Sequence, residues 1–383
     1  MRTLYLILAY MLSLPIALYG KMIIGNETII NVDINDIREI KLSDIAESVR
    51  LIPLITNKTV MIPEVNKVYV DNDIIIVKGQ VCQNHYLFDR KGHFLADLCD
   101  VLGHDKLEIN LPGGLCTLMH TVSVDHKKRE IRMYSGEDIY IYSYLGEILR
   151  QEQAPGLAIE QVLSLRKGDA FITAAWSELY ATPMNALLVI NNKKGTEQYL
   201  TRPDFFYSHN FIDVSELRKE YLLHFFGSDT LYSLNKNKAT LKSSYVVNFG
   251  DYAYPDKLGT KDYHALRNYA DSNKDKAGFV SDVKATDDII LFRYQYNGEY
   301  NEFLYNVKNG ESLNGRVKYD IFTGGDISLV GSTAQSFIFV ISDPWHLRLV
   351  NRGGGFLSDE EIKYIESINE DTDYILLEVF LKI

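Results

Sequence analysis

The stretch Val65–Leu98 decides the fold, and it reads VNKVYVDNDIIIVKGQVCQNHYLFDRKGHFLADL. It contains four short apolar runs of about strand length: Val65–Val70, Ile74–Val77, His85–Phe88 and His93–Leu98. The residues between the runs are mainly Asp, Asn, Gly and Lys, which are types that turns select. Four antiparallel strands joined by tight turns form a meander, which is the unit of a β-propeller blade.

A single blade cannot bury both faces of its sheet, so a propeller requires further copies of the unit. A second copy is recognisable in His120–Gln151, HTVSVDHKKREIRMYSGEDIYIYSYLGEILRQ. Asp125 follows Asp71 by 54 positions, and Gly146 follows Gly92 by the same 54 positions. Propeller repeats are about 40 to 50 residues long, so this period is compatible with the architecture. Two landmarks at one offset indicate a true repeat.

Later copies of the unit keep the succession of strands and turns, but their sequences are less similar to those of the first two copies. The predicted blades span about residues 65–99, 118–151, 159–202, 206–250, 278–313 and 318–383. Lys261–Lys276 has few β-branched residues and is predicted to form a helix or structured loop between blades 4 and 5. A second helix is predicted after Ser358, because Glu361 three residues later completes a capping box.

The two ends of the chain are predicted to close the ring. A ring with an open last blade would expose strand edges, and propellers seal such rings by pairing the chain ends. Val49–Ile55 (VRLIPLI) and Tyr374–Ile383 (YILLEVFLKI) are apolar strand-like runs suited to this pairing. We therefore expect residues 37–55 to complete the sixth blade. The predicted fold class is an all-β, six-bladed β-propeller of four-stranded antiparallel meanders, in one domain from residue 21 to 383.

Met1–Gly20 has the pattern of a cleaved signal peptide. Arg2 provides the positive charge, Leu4–Leu14 the apolar stretch, and Gly20 a small residue at the cleavage site. The apolar run ends at Pro15 and is shorter than the ~20 residues needed to span a membrane. No Cys follows the run, so we expect a periplasmic or secreted protein that is not a lipoprotein.

Charge and motif searches exclude several functional classes. The formal net charge of −11 argues against binding to nucleic acid, which needs clustered Lys and Arg. The sequence has no GxSxG, HExxH, P-loop or EF-hand motif. The nine His residues do not cluster, and no pair has the i, i+4 spacing of a helical metal site. We therefore predict no catalytic residues, no cofactor and no metal, and we expect a monomer.

The three cysteines stand at positions 82, 99 and 116. If Asp89–Gly92 forms the turn between the third and fourth strands of the first blade, Cys82 lies opposite or diagonal to Cys99. A cross-strand disulfide between Cys82 and Cys99 would then be within reach. Half-buried unpaired thiols are the alternative, since an odd number of cysteines leaves at least one thiol free.

Several segments together resemble one known family. They are Glu39–Pro53 (EIKLSDIAESVRLIP), Asp229–Gly250, Gly324-Gly325-Asp326 and the terminal YILLEVFLKI. In this order they are similar to the six-bladed, TolB-like β-propeller family of exported proteins from Bacteroidales-type bacteria. The resemblance covers nearly the whole chain after residue 20 and implies the propeller fold and export. It implies no settled activity and no catalytic motif. Many members carry a lipobox Cys, which this chain lacks.

Ligand sites in propellers usually lie at one mouth of the central channel, where loops and innermost strands converge. Aromatic residues at such a mouth could stack on sugar rings, and Asp could accept hydrogen bonds from hydroxyl groups. The alternative is that the large aromatic residues pack between blades. Six residues beside predicted strand ends or blade transitions are the candidate ligand-binding residues: Trp176, Asp204, His209, Tyr254, Asp326 and Trp345.

Three functions are compatible with this pattern. The first is a non-catalytic binding or scaffolding propeller of the cell envelope that recognises a glycan, a peptide or a protein partner at one channel mouth. The second is a polysaccharide-active enzyme, a hydrolase or lyase; a hydrolase would need two channel carboxylates ~5 to ~9 Å apart. The third is a structural interaction module of an envelope complex. A strongly raised carboxylate pKa at the mouth would favour the enzyme, and an exposed apolar patch would favour a protein partner.

Overall fold

The computed structural model shows six small antiparallel sheets arranged in a ring, which is a six-bladed β-propeller. The fold class predicted from the sequence is therefore confirmed. The structure describes residues 18–19, 27–56, 60, 62, 64–79, 84–100, 108–111, 114–117, 120–135, 138–154, 159–173, 186–192, 195–201, 212–225, 228–255, 263–350, 355–368 and 374–383.

The strands run through the whole described chain. In chain order they are β1 (Leu18–Tyr19), β2 (Thr28–Asn31), β3 (Arg38–Lys41), β4 (Ala46–Leu54), β5 (Val65–Val70), β6 (Ile74–Gly79), β7 (His85–Asp89), β8 (Phe94–Asp97), β9 (Glu108–Leu111), β10 (Gly114–Thr117), β11 (His120–Asp125), β12 (Glu130–Ser135), β13 (Asp138–Ser143), β14 (Ile148–Gln153), β15 (Ile159–Leu165) and β16 (Gly168–Thr173). They continue with β17 (Ala186–Asn192), β18 (Gly195–Thr201), β19 (Ile212–Glu216), β20 (Glu220–Phe225), β21 (Thr230–Asn235), β22 (Leu241–Asn248), β23 (Gly278–Ala285), β24 (Ile289–Tyr296), β25 (Glu299–Asn306), β26 (Ser312–Lys318), β27 (Phe322–Thr323), β28 (Asp326–Ser332), β29 (Phe337–Ser342), β30 (Arg348–Leu349) and β31 (Tyr374–Leu381).

Helices are few and short. The α-helices are α1 (Leu42–Ile45), α2 (Tyr263–Ser272) and α3 (Asp359–Ser367), and the 3₁₀ turns are Ile34–Asp36, Gly250–Tyr252 and Pro344–His346. Helix α2 lies within the predicted insertion between blades 4 and 5. Helix α3 begins after Ser358, whose hydroxyl accepts from the Glu361 N–H while the Glu361 side chain accepts from the Ser358 N–H. The predicted capping box is therefore confirmed.

Each blade is a meander with its first strand innermost. Blade 1 is β5-β6-β7-β8, blade 2 is β11-β12-β13-β14, blade 3 is β15-β16-β17-β18, blade 4 is β19-β20-β21-β22, blade 5 is β23-β24-β25-β26 and blade 6 is β28-β29-β31-β4. The first hairpin of blade 1 is fixed by Asp71, whose carboxylate accepts from the N–H groups of Asp73 and Ile74 at 2.7 and 2.8 Å. In blade 2, Asp125 accepts from the N–H of Lys128 at 3.1 Å. The repeated Asp therefore has the same role in both blades.

The same structural reason explains why glycine occupies both repeated positions, 92 and 146. Gly92 and Gly146 have φ of 86° and 84°, a left-handed conformation that glycine adopts without strain. A β-carbon on Gly92 would lie 1.8 Å from the carbonyl oxygen of Pro53 in blade 6. A β-carbon on Gly146 would lie 2.3 Å from the Ala96 β-carbon in blade 1. Glycine is required in both turns because each packs closely against the preceding blade.

The ring closes in blade 6, as predicted. Strand β4 from the N-terminal part pairs antiparallel with the C-terminal strand β31, for example Leu51 with Leu377. Strand β31 is apolar except for Glu378. Its residues 375–379, Glu378 among them, are buried. The Glu378 carboxylate accepts from Arg50 at 3.3 Å, from Arg90 of blade 1 at 2.7 Å and from Ser336 at 2.9 Å. The one buried charge of the seam is therefore paired and joins blade 6 to blade 1.

The N-terminal segment before β4 runs around the outside of the ring. Strand β1 pairs parallel with β18 of blade 3, β2 with β22 of blade 4, and β3 with β26 of blade 5. Strands β2 and β3 each bury one isoleucine, Ile30 and Ile40. Residues 37–55 were expected to complete blade 6 together. In the structure only β4 does so, because β3 is captured as a fifth strand by the outer edge of blade 5.

Apolar side chains fill the spaces between neighbouring blades. Between blades 6 and 1, for example, Ile52 and Leu376 pack with Val68, Ile75 and Phe88. Comparable clusters of buried residues lie between the other neighbouring blades. Burial between blades stabilises the ring, since a fully buried Val, Leu, Ile or Phe contributes about 1.5 to 3 kcal/mol. The innermost strands, by contrast, present polar side chains to the channel.

Candidate functional site

A cavity of about 450 Å³ runs along the propeller axis and is lined by the innermost strands of all six blades. Small-molecule sites in proteins usually occupy ~300 to ~1,000 Å³, so this cavity has the size of a ligand site. A second cavity between blades 5 and 6 measures only about 20 Å³ and is lined mainly by apolar side chains. That volume is enough for about one water molecule. The axial cavity is therefore the candidate site.

One wall of the cavity carries a row of three basic side chains, which we call the basic row: Lys67, Lys78 and His85. The strand register places Lys67 of β5 directly opposite Lys78 of β6, and Lys78 directly opposite His85 of β7. Directly opposed side chains in an antiparallel pair have β-carbons about 4.5 to 5.5 Å apart and lie on the same face. All three residues line the cavity.

The ammonium group of Lys67 reaches across the channel to a neutral partner. Lys67 Nζ donates a hydrogen bond of 2.9 Å to Gln161 Oε1 on β15 of blade 3. Burial, together with the positive charges of Lys284 and Lys78, lowers the pKa of Lys67 to about 7. The carboxylates of Asp213 and Glu160 oppose this shift. Lys67 is therefore partly neutral near pH 7.

Lys78 is the second amine of the basic row. Burial lowers its pKa, although Glu160 acts in the opposite direction. On the neighbouring blade, His120 is 1% exposed, and neither of its ring nitrogens has a hydrogen-bond partner among the described residues. Burial, and to a smaller extent the charge of Lys78, lower the pKa of His120 to about 4. The His120 imidazole is therefore neutral at physiological pH.

A matched ion pair occupies the opposite wall. Lys284 Nζ of blade 5 lies 2.8 Å from Asp213 Oδ1 of blade 4. Asp213 also accepts from the Val283 N–H at 3.0 Å, and His224 Nδ1 lies 3.5 Å from its other oxygen. Burial alone would raise the pKa of Asp213, but Lys284 and His224 hold it well below its usual range. Asp213 is therefore a stable carboxylate that neutralises Lys284.

A second matched cluster crosses one end of the channel, which we call the hairpin end because the first turn of each blade lies there. His126 of blade 2 contacts both Asp71 of blade 1 at 3.3 Å and Glu216 of blade 4 at 3.7 Å. Tyr69 shares its hydroxyl hydrogen bond with His126 Nε2 at 2.9 Å, and Lys236 Nζ lies 2.9 Å from Glu216. Because blade 3 separates blades 2 and 4, these contacts span the channel axis.

In the cluster at the hairpin end, His126, Asp71 and Glu216 are charged at neutral pH. Hydrogen bonds to Asp71 and then Glu216 raise the pKa of His126 to about 9. Burial opposes ionisation of Asp71 and Glu216, but the hydrogen bonds from His126 lower the pKa of both carboxyl groups. The Tyr69-His126-Asp71 arrangement resembles a catalytic relay. A protonated His126 cannot act as a general base, so the arrangement is a structural bridge.

Some hydroxyl groups of the channel wall have no partner within the protein. The Oγ atoms of Ser164 on β15 and Ser332 on β28 are buried and make no hydrogen bond to any described residue. Both serines line the cavity. A hydroxyl can donate one hydrogen bond and accept two, so these side chains can bind polar groups of a ligand.

The residues proposed from the sequence lie outside this cavity wall or outside the described residues. Tyr254 packs on Tyr269 with ring centroids 5.3 Å apart, and burial raises its pKa to about 12. Asp326 is exposed at the first position of β28. Trp345 is 37% exposed in a 3₁₀ turn after β29. The structure does not bring these three residues together as a lining of the cavity. Trp176, Asp204 and His209 lie outside the described residues, and all six stay predictions.

Cys99 is a free, buried thiol in the structure, and burial raises its pKa to about 12. Cys82 lies outside the described residues, so a disulfide between the two in the oxidised protein stays a prediction. In the part of the chain that the structure describes, no three His, Cys, Asp or Glu side chains converge as metal ligands. Within the same residues, no helix has the length and apolarity to cross a membrane.

The sequence carries one weak signal for the site. Lys67 and Lys78 each lie in a mainly apolar strand, VNKVYV and IIIVKG. In a half-buried strand such a Lys is usually assigned to the solvent side. The register that places the two lysines opposite each other inside the channel appears only in the folded structure.

Comparisons with known proteins agree with the fold and leave the activity open. A family model for a domain of unknown function (DUF4934) matches residues 27–379. A structure from Bacteroides fragilis NCTC 9343, named "putative exported protein", aligns with a TM-score of 0.65 at 15% identity and covers 93% of this chain and 100% of that chain. A member of the DUF4221 family from Bacteroides vulgatus ATCC 8482 aligns with a TM-score of 0.46 at 11% identity, over 88% and 97% of the two chains. None of the curated proteins matches the sequence.

Proposed function

The chain belongs to the DUF4934 family, and we propose that it is a non-catalytic binding propeller of the cell envelope that holds a small polar ligand in its central channel. The cavity of about 450 Å³ among the innermost strands carries this proposal. Its polar wall, with amines, hydroxyl groups and an amide facing one space, suits a water-soluble ligand such as a glycan unit or a short peptide.

The ligand enters from the end of the channel opposite the hairpin end. At the hairpin end, His126, Asp71 and Glu216 bridge three blades across the axis. The wall near the other end carries Glu64, Lys78 and Glu160, which are polar residues at or near the ends of their strands. Passage at the hairpin end would require breaking several ion pairs at once, so the opposite mouth is the lower-energy route.

Asp213 and Glu216 of the channel are better suited to ligand binding than to hydrolysis. A glycosidase needs a general acid whose pKa is raised, beside a second carboxylate. Asp213 and Glu216, which line the cavity, instead have lowered pKa values because each lies in an ion pair. Both are held as carboxylates, so neither is suited to donate a proton to a leaving group.

The proposal also includes the export of the protein and its membership of the TolB-like propellers. The N-terminal sequence Met1–Gly20 supports export through a signal peptide. Mass spectrometry of the mature protein from the native envelope fraction tests this. An N-terminus at Lys21 supports the proposal, and an intact Met1 contradicts it.

Thermal unfolding against a panel of oligosaccharides, short peptides and small organic acids tests binding. A ligand present at ~100 times its dissociation constant adds ~2.7 kcal/mol of stability, and for a chain of this size the unfolding temperature then rises by a few degrees. Ser328→Trp would fill the cavity from an exposed lining position, and should abolish the shift.

Ser312→Trp provides the matched control, because Ser312 is exposed on β26 outside the cavity lining. This variant should keep the full shift. A ligand that stabilises wild type and the Ser328→Trp variant equally would bind outside the channel and would contradict the proposal.

A further inference from the structure

We propose that the basic row of blade 1 is the seat for an oxyanion group of the ligand, namely a carboxylate, sulfate or phosphate, held between Lys67 and Lys78. This inference rests on the proposed function and assigns the chemical class of the ligand. The geometry that carries it is the register of β5, β6 and β7, which places two amines and an imidazole side by side on the cavity wall.

The row is unfavourable without an anion. Like charges directly opposite each other on neighbouring strands destabilise a sheet. The described residues provide Lys78 Nζ with no hydrogen bond or ion pair, and Lys67 has only the neutral Gln161 amide as acceptor. An ammonium group has three donors and no acceptor, so most donors of the two amines are available to a bound oxygen.

The third cavity lysine differs from these two. Lys284 is compensated by Asp213 at 2.8 Å, so its charge is already matched within the protein. Among the described cavity residues, the lysines without an ion-pair partner are therefore the two of blade 1, on the side where His120 and His85 also lie. This asymmetry specifies where in the channel the anionic group binds.

The surrounding charges also limit the ligand. Glu64, Glu160, Asp213, Glu216 and Asp282 line other parts of the same cavity. A polyanion would meet these carboxylates, whereas a ligand with one anionic group and several hydroxyl groups would place the anion on the basic row. Its hydroxyl groups would then face Ser164, Ser332 and the carboxylates. An acidic sugar has this distribution of groups.

Binding of such a ligand is coupled to proton uptake. In the free protein the Lys67 amine is partly neutral near pH 7, under the influence of Lys284 and Lys78 on one side and Asp213 and Glu160 on the other. A bound anion raises the Lys67 pKa, so the complex takes up a proton. Affinity is therefore highest below pH 7 and falls as the pH rises through 7 toward the pKa of the complex.

Isothermal titration calorimetry with the full chain tests this inference, using glucuronate, inorganic phosphate, sulfate and neutral glucose as probes. We expect at least one anion to bind and glucose to bind much more weakly. Lys67→Gln and Lys78→Gln should each reduce anion affinity by about tenfold, equivalent to ~1.4 kcal/mol. Lys78→Arg should retain most of the affinity, because it keeps the charge. Titration in buffers of different ionisation enthalpy should reveal proton uptake near pH 8.

Lys242→Gln is the matched control, since Lys242 is an exposed strand lysine outside the cavity. Anion affinity should not change in this variant. Equal anion affinity in wild type and Lys78→Gln would overturn the inference. Glucose binding that Ser328→Trp abolishes, without any anion preference, would overturn the inference and leave the proposed function intact. Absence of binding for every probe and for the wider ligand panel would overturn both.

Discussion

At the hairpin end of the channel, His126 lies between Asp71 and Glu216, whereas on the wall of blade 1 Lys67 lies directly opposite Lys78. Both groups contain basic side chains. In the first group each charge has a partner of opposite sign within the protein. In the second group two amines are neighbours, and neither has a partner of opposite sign in direct contact among the described residues. Matched charges therefore stabilise the ring, whereas the unmatched amines of blade 1 form the proposed site for the ligand's anionic group.

The largest effect should come from breaking a matched pair. Lys284→Met leaves Asp213 charged and mostly buried, and we expect a loss of about 3 kcal/mol in the free energy of unfolding. Urea denaturation at pH 7 measures it. The double variant Asp213→Asn/Lys284→Met should recover most of the loss, since it removes the charge that was left without its partner. A single variant as stable as wild type would contradict the structural role of this pair.

The second-largest loss of stability should come from replacing His126, and it should depend on pH. Its pKa of about 9 in the folded protein lies above the ordinary 6.5, so its stabilising contribution is full below pH 6.5 and is lost as the pH rises through 9. His126→Gln should therefore cost about 1 kcal/mol at pH 6, because the side chain is half exposed and its ion pairs are screened.

His126→Gln should have the same free energy of unfolding as wild type near pH 10. Denaturation curves at pH 6, 8 and 10 measure the difference in this free energy at each pH. A double-mutant cycle with Glu216→Gln isolates the contact between blades 2 and 4. A difference that is constant with pH would show that His126 acts through packing and not through its charge.

The smallest expected effect is a gain of stability, and it should come from removing one lysine of the basic row. Lys78→Gln removes one of two like charges that face each other, so we expect stability to rise by about 0.2 to 1 kcal/mol. Chemical denaturation of this variant beside Lys242→Gln measures the difference, because an exposed strand lysine should change stability by less than about 0.5 kcal/mol. Marked destabilisation by Lys78→Gln would place Lys78 with the matched charges and would remove the distinction between the two regions.

The fold could be predicted because its signals are local. Alternating apolar runs, Asp and Gly at fixed turn positions, and two apolar strands at the chain ends are all readable along the sequence. Strands β2 and β3 were harder to place, because each has four residues and one buried isoleucine. Their pairing depends on outer strands more than 200 residues away, which no local pattern encodes.

The candidate site could not be predicted for a related reason. Trp, Tyr and Asp residues near strand ends, such as Trp345 and Asp326, are the candidate ligand-binding residues in the sequence, because ligand sites often lie in loops. The cavity is instead lined by residues within strands, including Lys67 of the innermost strand β5 and Lys78 of its neighbour β6. Only the register and the closure of the ring reveal that these lysines face each other and not solvent.

Diffraction from crystals soaked in selenate shows whether an anion binds to the basic row, because selenium scatters anomalously and selenate has the geometry of sulfate. We expect an anomalous peak in the channel, with selenate oxygens about 3 Å from Nζ of Lys67 and Lys78. The peak should be absent from crystals of the Lys78→Gln variant soaked in the same way. Selenate ordered only on the outer surface, or in the channel with equal occupancy in Lys78→Gln, would contradict this expectation.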